Sequence, residues 1–333
     1  MPTSFIIRLR PTGPWRFGPD SGSREHVDLW LHSDAVYSAV TSAMARLDLL
    51  DGWLDATARN PEGVSPVRFS SLYPYQRDHL FVVPPRGVWP PPASMKIRYK
   101  SARLVPLAVV EALLNDKNLD EDRWSVDGES SCLVPNGWQE GPFRKALRSS
   151  ASVDRLDHGN IGVHVTACLE FAREAGLWML VVFAGDEASE RWEKPLRSAL
   201  RLLGDTGIGG ERSRGWGRFR DPRWEKTEGL SIPLEEGAAP GYWLLSLYAP
   251  AEADSVDWSG GSYTTITRSG RIENPSRWGE LKTPTQMIGE GSVLLAPHEP
   301  RGAVLDVAPE GFQHPVYRAG FAVTIPIPWK VSA

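Results

Sequence analysis

Residues 207–219 read Gly207-Ile-Gly-Gly-Glu-Arg-Ser-Arg-Gly-Trp-Gly-Arg-Phe219, and what stands on either side of them sets the fold. Upstream, residues 189–203 place Trp192, Leu196, Ala199, Leu200 and Leu203 on one side of a helix. Arg191, Lys194, Arg197 and Arg201 fall elsewhere on it, and Gly204 supplies a stop. Downstream, residues 218–224 suit a closing strand. Helix, glycine-rich loop and strand in that order complete a β–α–β–β–α–β unit whose earlier parts can be found. Residues 4–10, Ser-Phe-Ile-Ile-Arg-Leu-Arg, are a short apolar run stopped by Pro11, and residues 12–26 form a loop rich in glycine, proline and serine. Ser33 or Asp34 caps a helix whose apolar positions Val36, Val40, Ala43, Met44 and Leu47 recur at helical spacing, closing near Asp51-Gly52. Residues 67–72 and 80–83 read as strands joined by a turn at Tyr73-Pro74-Tyr75, because proline presets a turn dihedral and lacks a ladder donor. Residues 163–171 and 177–184 read as a hairpin around Glu174-Ala175-Gly176.

Between these parts, residues 84–160 are irregular, with Pro90-Pro91-Pro92, a helix over 107–114 and a polar segment over 115–141, and so read as an insertion. Residues 225–240 are polar, acidic and proline-bearing, as a linker is. Beyond them, strand candidates at 242–248, 263–267, 292–295, 303–307 and 321–327 describe a β-rich unit with no long amphipathic helix. The fold class is therefore α+β: a ferredoxin-like (RRM-like) domain over 1–228 and a degenerate, β-rich second sheet domain over 241–333. A chain of 333 residues is long for one core, which agrees with two domains. Its 41% hydrophobic and 23% charged residues exclude wholesale disorder, and 31 glycines with 28 prolines call for many turns.

The formal net charge of −4 argues against binding nucleic acid over the whole surface, so any such site is local. Two basic clusters qualify. Residues 86–103 hold Arg86, Lys96, Arg98, Lys100 and Arg103 with no acid, and residues 207–220 hold Arg212, Arg214, Arg218 and Arg220 against Glu211 alone. A solvated charged face is the ordinary meaning of such runs. In the second cluster, however, glycines alternate with the arginines. Gly209, Gly210, Gly215 and Gly217 permit positive φ and close approach of a sugar-phosphate chain, while Arg212 and Arg214 offer planar donors to phosphate and Ser213 a hydroxyl. Trp216, flanked by two glycines, is placed to stack on a base. No Gly-Lys-Ser/Thr ends the loop and no dinucleotide fingerprint opens a helix, so it is neither kind of nucleotide cradle.

His32-Ser33-Asp34 is the second constellation: a histidine at a helix N-terminus serves as a general acid in ribonuclease chemistry, touches phosphate, or simply packs. The search for other chemistry fails. Cys132 and Cys168 have no CxxC partner, His158 and His164 make no metal spacing, and no GxSxG or Cys/His pairing appears. The expectation is no catalytic residue, no metal and no cofactor. There is also no leader-like start and no apolar run near the ~20 residues of a membrane span, so a cytoplasmic protein with no membrane partner is expected.

Taken together, these blocks resemble the RAMP (repeat-associated mysterious protein) superfamily, and within it the family of subunit four of the Csm, or type III-A, CRISPR effector complex. His32-Ser33-Asp34 is similar to its His-Ser-Asp-Thr-Leu, and Phe69-Ser-Ser-Leu-Tyr-Pro-Tyr75 to its Ser-Ser-Ala-Phe-Pro-Tyr. Val153-Asp154-Arg155 is similar to its Ile-Asp-Arg, and residues 203–219 to its glycine-rich loop. Residues 244–250, Gly289-Glu-Gly-Ser-Val293 and His314-Pro-Val-Tyr-Arg318 resemble its C-terminal blocks. The chain departs from the pattern at Ala35-Val36 in place of Thr-Leu and at Ala151-Ser152 in place of Arg-Asn. The resemblance implies two tandem ferredoxin-like (RRM-like) RAMP domains forming a non-catalytic subunit that grips the repeat-derived 5′ handle of the crRNA. It also implies docking to the large polymerase-like signalling subunit and to the neighbouring backbone RAMP subunit. RNA contacts are then expected at His32, Ser33, Lys96, Arg98, Lys100, Asp154, Arg155, Gly209, Gly210, Arg212, Ser213, Arg214, Gly215, Trp216, Gly217, Gly289, Gly291 and Ser292. Lys96, Arg98 and Lys100 belong to an insertion that stands where the family carries a thumb-like projection. Two other readings remain open: a guide-processing RAMP endoribonuclease with His32 as general acid, and the equivalent subunit of a type III-B complex.

Overall fold

The computed structural model describes residues 3–19, 21–59, 64–91, 94, 97–153, 161–228, 230, 232, 240–272 and 279–329. The first half is built around a strand with no polar face. Ala-Gly-Leu-Trp-Met-Leu-Val-Val-Phe is buried at all nine positions, as befits a strand covered on both sides, and it takes the centre of the sheet. In chain order the elements are β1 (Thr3–Pro11), α1 (Ser33–Arg46), α2 (Leu50–Thr57), β2 (Val67–Phe69), β3 (Tyr73–Gln76), β4 (His79–Val82) and β5 (Val105–Pro106). These are followed by α3 (Leu107–Leu114), β6 (Trp124–Val126), β7 (Leu133–Pro135), β8 (Phe143–Val153), β9 (Ile161–Phe171), the central β10 (Ala175–Phe183), α4 (Asp186–Thr206) and β11 (Phe219–Thr227). The sheet runs β11-β1-β10-β3-β4-β5, with β2 also paired to β10. Every pairing in it is antiparallel. Helices α1 and α4 pack on it through Val36, Val40 and Met44 and through Trp192, Leu196, Ala199 and Leu200.

The second half comprises β12 (Pro240–Leu244), β13 (Asp257–Ser262), β14 (Thr265–Arg268), β15 (Thr285–Ile288), β16 (Val293–Leu295), β17 (Gly302–Asp306), β18 (Tyr317–Phe321) and β19 (Thr324–Pro328). A four-stranded sheet β13-β16-β12-β19 is accompanied by the ribbons β14-β15 and β17-β18. Trp243, Leu245, Val293, Phe321 and Ile325 join the same core cluster as Ile7, Val40, Trp178 and Leu200, so both halves share one hydrophobic interior. The whole is a mixed α and β architecture with few helices and many antiparallel strands. No helix among the described residues is long and apolar enough to cross a membrane.

Several sequence expectations are corrected. Tyr73-Pro74-Tyr75 lies within β3 rather than in a turn. Pro74 sits outside the β3–β4 pairs Tyr75↔Leu80 and Gln76↔His79, so its missing N–H removes nothing from that ladder, and the chain turns instead at Arg77, with φ 53°. Glu174 does adopt a left-handed turn conformation at φ 60°, yet β9 and β10 do not form a hairpin. β9 pairs along its whole length with β8, from Phe143↔Phe171 to Val153↔Ile161. The first helix stops at Arg46, and Asp51-Gly52 belongs to α2. Gly204 does not end α4 but lies inside it, where an added Cβ would stand 2.9 Å from the Phe219 carbonyl oxygen; the helix ends at Gly207, with φ +87°. β11 occupies the first residues of the expected linker. β5, β6, β7 and β8 arise within the segment read as an irregular insertion, and β13 and β15 where no strand was read.

Candidate nucleic-acid interface

The glycine-rich loop is folded tightly onto its own protein. Gly207, Gly209, Gly215 and Gly217 all have positive φ, between 75° and 89°, whereas Gly210 does not. A Cβ on Gly217 would strike the Ile208 carbonyl, one on Gly207 that of Trp216, and one on Gly209 that of Arg16. The close approach that three of these glycines permit is therefore of the chain to itself. Ile208 N–H donates to Gly217 O (3.0 Å), Gly217 N–H to Pro14 O (2.9 Å) and Gly210 N–H to Arg16 O (2.9 Å). Arg16 is buried (6% exposed), and its guanidinium donates to the carbonyls of Ser23, Arg24, His26 and Ala167, clamping the loop's floor. Trp216, read as a base-stacking platform, is instead 8% exposed, so its ring is turned into protein.

Held this way, residues 212–214 make one 3₁₀ turn that splits the arginines. Arg214 pairs with Glu211 (3.2 Å) and donates to Ser150 Oγ (3.3 Å) on β8. Ser213 is exposed. Arg212 instead lines a cleft of about 200 Å³ between the loop, α1 and the second half of the chain. Opposite it stand Arg268 of β14, Lys282 and Arg318 of β18, with Asp34 from the first turn of α1 between them. Arg268 donates to both Asp34 oxygens, at 3.1 and 3.0 Å, and Arg318 lies 3.7 Å from the same carboxylate. Burial works against the charge of Asp34, but Arg268, then His32 and Arg318, hold it below the usual carboxylate range. Lys282 is pushed below its usual value by burial and by Arg318 and Arg268, more than Asp34 restores. Among the described residues that line the cleft, Asp34 is the one carboxylate beside Arg212, Arg268, Lys282 and Arg318, and a cluster of cations on one concave surface attracts anions.

The other side of the same helix end is a second recess, of about 460 Å³, lined by Trp30, His32, Arg86, Trp89, Arg103 and Glu290 among others. His32 Nδ1 lies 2.7 Å from Glu290 Oε1, and Ser71 Oγ donates to the same oxygen. Burial opposes the charge of each partner, yet each holds the other ionised: His32 is raised and Glu290 lowered. The Arg103 guanidinium lies 5.0 Å over the Trp30 ring. Neither Ser33 nor Asp34 caps α1. Ser33 Oγ is 5% exposed and accepts from Leu247 N–H (3.0 Å), and Asp34 serves Arg268.

The remaining expected residues are dispersed. Gly289 lines the second recess. Gly291 has φ +81° and is tied to Arg86 N–H by its carbonyl, while Ser292 is fully buried and accepts from Thr264 N–H (3.1 Å), so both brace the recess wall. Arg98 and Lys100 are exposed on the 3₁₀ turn Ile97–Ser101 and line neither cleft. Lys96, Asp154 and Arg155 lie outside the described residues. Reading the sequence missed Arg268, Lys282 and Arg318, which no local pattern joins to the loop. It also missed Glu290, whose position between two glycines in the quoted block was its only signal. Among the described residues no cluster of metal-ligating side chains occurs.

Residues 237–327 match the family model described as the CRISPR Csm4 C-terminal domain. Across 98% of this chain and 97% of the relative, 23% of residues are identical to the "CRISPR system Cms protein Csm4" of Thermococcus onnurineus (strain NA1). Among solved structures, a chain of the Csm3-Csm4 subcomplex in the type III-A CRISPR-Cas interference complex superposes with a TM-score of 0.63 at 15% identity, covering 98% and 99% of the two chains. A chain of the Csm1-Csm4 cassette in complex with cA4 gives 0.60 at 16% identity, covering 99% of each.

Proposed function

We propose that this chain, which belongs to the Csm4 family of CRISPR type III-A subunits, holds the repeat-derived 5′ handle of the crRNA without catalysing any reaction itself. In this reading it is cytoplasmic and anchors the large signalling subunit to the neighbouring backbone subunit, as the Csm1-Csm4 and Csm3-Csm4 assemblies of its relatives suggest. The observation that carries the RNA reading is the convergence of Arg212, Arg268, Lys282 and Arg318 on one cleft at the head of α1. Phosphates of a single strand would neutralise that excess and return Lys282 toward its ordinary value. The sheet order β11-β1-β10-β2/β3, with α1 and α4 in the connections, supports reading residues 1–228 as a ferredoxin-like RAMP domain, with the smaller sheet of residues 241–333 as its degenerate partner. His32 is committed to Glu290, which favours a positioning role over that of a general acid.

The test is binding of synthetic handle RNA to the purified chain across a salt series. Arg212→Ala and Lys282→Ala should each weaken binding about tenfold and flatten the salt dependence by about 0.7 for each phosphate no longer neutralised. Unchanged affinity in both variants would remove the cleft as the RNA site. Metal-free incubation with repeat RNA completes it: specific cleavage abolished by His32→Ala would replace this reading with the nuclease one.

A further inference from the structure

The open face of the first sheet carries an arrangement that folding alone disfavours. In the β1–β11 ladder, Arg8 is directly opposite Arg223 and, beyond a bulge, Arg10 is directly opposite Arg220. Like charges facing one another across an antiparallel pair destabilise it. Glu225 relieves the first pair, lying 3.7 Å from Arg8 and 3.1 Å from Arg223. The second pair has no carboxylate partner among the described residues, and both of its side chains are exposed. Among the described side chains of this ladder, four guanidiniums thus stand against the carboxylate of Glu225.

An aromatic ring completes the patch. Tyr75 of β3 lies flat across Gly176 of β10, where a Cβ would stand 2.8 Å from the ring and 2.9 Å from the hydroxyl. The missing side chain is what lets the ring lie down on the sheet. The Arg8 guanidinium is 5.4 Å from the ring centroid. The tyrosine is held above its ordinary value by burial, with Arg8, Arg10 and Arg223 pulling it down and Glu225 up, so these charges all surround it. Arg8 Nε is buried without a hydrogen-bond partner among the described residues. Along β1, Arg8 and Arg10 are two residues apart, roughly 6.7 Å, close to the separation of successive phosphates in an extended single strand.

We propose that this arginine ladder with Tyr75 is a second contact for single-stranded RNA, distinct from the cleft at the head of α1 and independent of the handle reading. Phosphates lie between the paired guanidiniums and one base stacks on Tyr75. An acidic peptide would answer the charge but leaves the levelled ring without a role, which is why the occupant is taken to be RNA.

The test uses the full chain and a short fluorescent oligouridine. Replacing both members of the uncompensated pair, Arg10→Thr with Arg220→Thr, should weaken binding about tenfold and flatten its salt dependence by about 0.7 for each phosphate left unneutralised. The melting temperature should be unchanged or higher, because the repulsion is gone. Tyr75→Leu should weaken binding without altering the salt slope. Wild-type chain crosslinked to RNA containing 4-thiouridine should yield adducts on β3 or β11, an arm that needs no variant to fold. Unchanged affinity in the Arg10/Arg220 variant, adducts confined to residues lining the α1 cleft, or displacement of a polyglutamate probe without loss of RNA binding would each overturn the proposal. Because Arg212→Ala leaves the ladder intact, failure of the cleft and failure of the ladder register in different variants.

Discussion

At the scale of single residues, the contact with most consequence joins positions 258 apart in sequence, His32 and Glu290. No spacing rule could pair them, although both sit in blocks the sequence singled out. Their titrations set a window. His32 is raised above its ordinary 6.5, so its share of stability is fully present below that value and is lost as pH rises through the folded one. Glu290 is lowered from 4.5, so its share is present above that value and is lost as pH falls through its folded one. The pair is strongest between the two. Glu290→Gln should cost about 3 kcal/mol near neutrality and abolish the alkaline decline, as read from urea unfolding over a pH series; a variant that retains the wild-type alkaline decline would dismiss the pair as its cause. The basic residues were equally unequal in legibility. Arg212 stands out in the sequence because glycines flank its run, whereas Lys282 and Arg318 come from segments that only the folded chain brings to the cleft.

At the scale of elements, the β–α–β–β–α–β frame of the first half was legible from hydrophobic period, while α2, the strands β5 to β8 and the strand partners were not. Turn chemistry at Glu174 is real, but a turn brings two ends together without deciding whether the strands pair. Burial decides it. β10 is apolar on both faces and must take the middle of a sheet, while residues 162–164 of β9 are exposed and suit a projecting ribbon. Helix α4 was read too short for a similar reason, since Gly204 looks like a stop in one dimension and is a packing contact with Phe219 in three. Within the loop, glycines that look alike in sequence should differ in substitution. Gly217→Ala drives a Cβ into the Ile208 carbonyl at φ +75° and should lose about 3 kcal/mol, whereas Gly215→Ala, at φ +80° with the nearest atom of Arg218 at 3.8 Å, should lose only about 1 kcal/mol. Equal losses in chemical denaturation would mean that the loop's self-contact is not what requires glycine.

At the scale of the whole molecule, the two halves expected from chain length are fastened together. Arg68 donates to Ala322 O (2.8 Å), Tyr73 to Leu245 O (2.9 Å) and Trp243 Nε1 to Val83 O (3.1 Å), all above a common apolar interior. Residues 1–228 alone would lose the contact of Tyr37 with Phe321, the bond of Tyr73 to Leu245 and the packing of β18 on α1. The full chain is therefore expected to unfold in one calorimetric transition, and residues 1–228 expressed alone should lack a cooperative melt; two separable transitions would show the halves to be autonomous. Length and linker composition suggest two units, but they carry no information about the surface between them. One projecting feature of the assembled chain bears on its life in a cell. The ribbon β8-β9 extends eleven residues per strand, with Leu147 63% and Val163 68% exposed; β9 is tied by backbone bonds to Trp15 and Arg24 at Leu169 and Ala167, and towards its tip no further strand among the described residues lies along its outer edges. Under the proposed role in an assembly, a copy made in excess of its partners offers proteases a prong to cut and other ribbons an edge to join. Under that role, the amount of this chain that a cell tolerates is set by how much of the proposed assembly it makes, which favours synthesis in step with the other subunits.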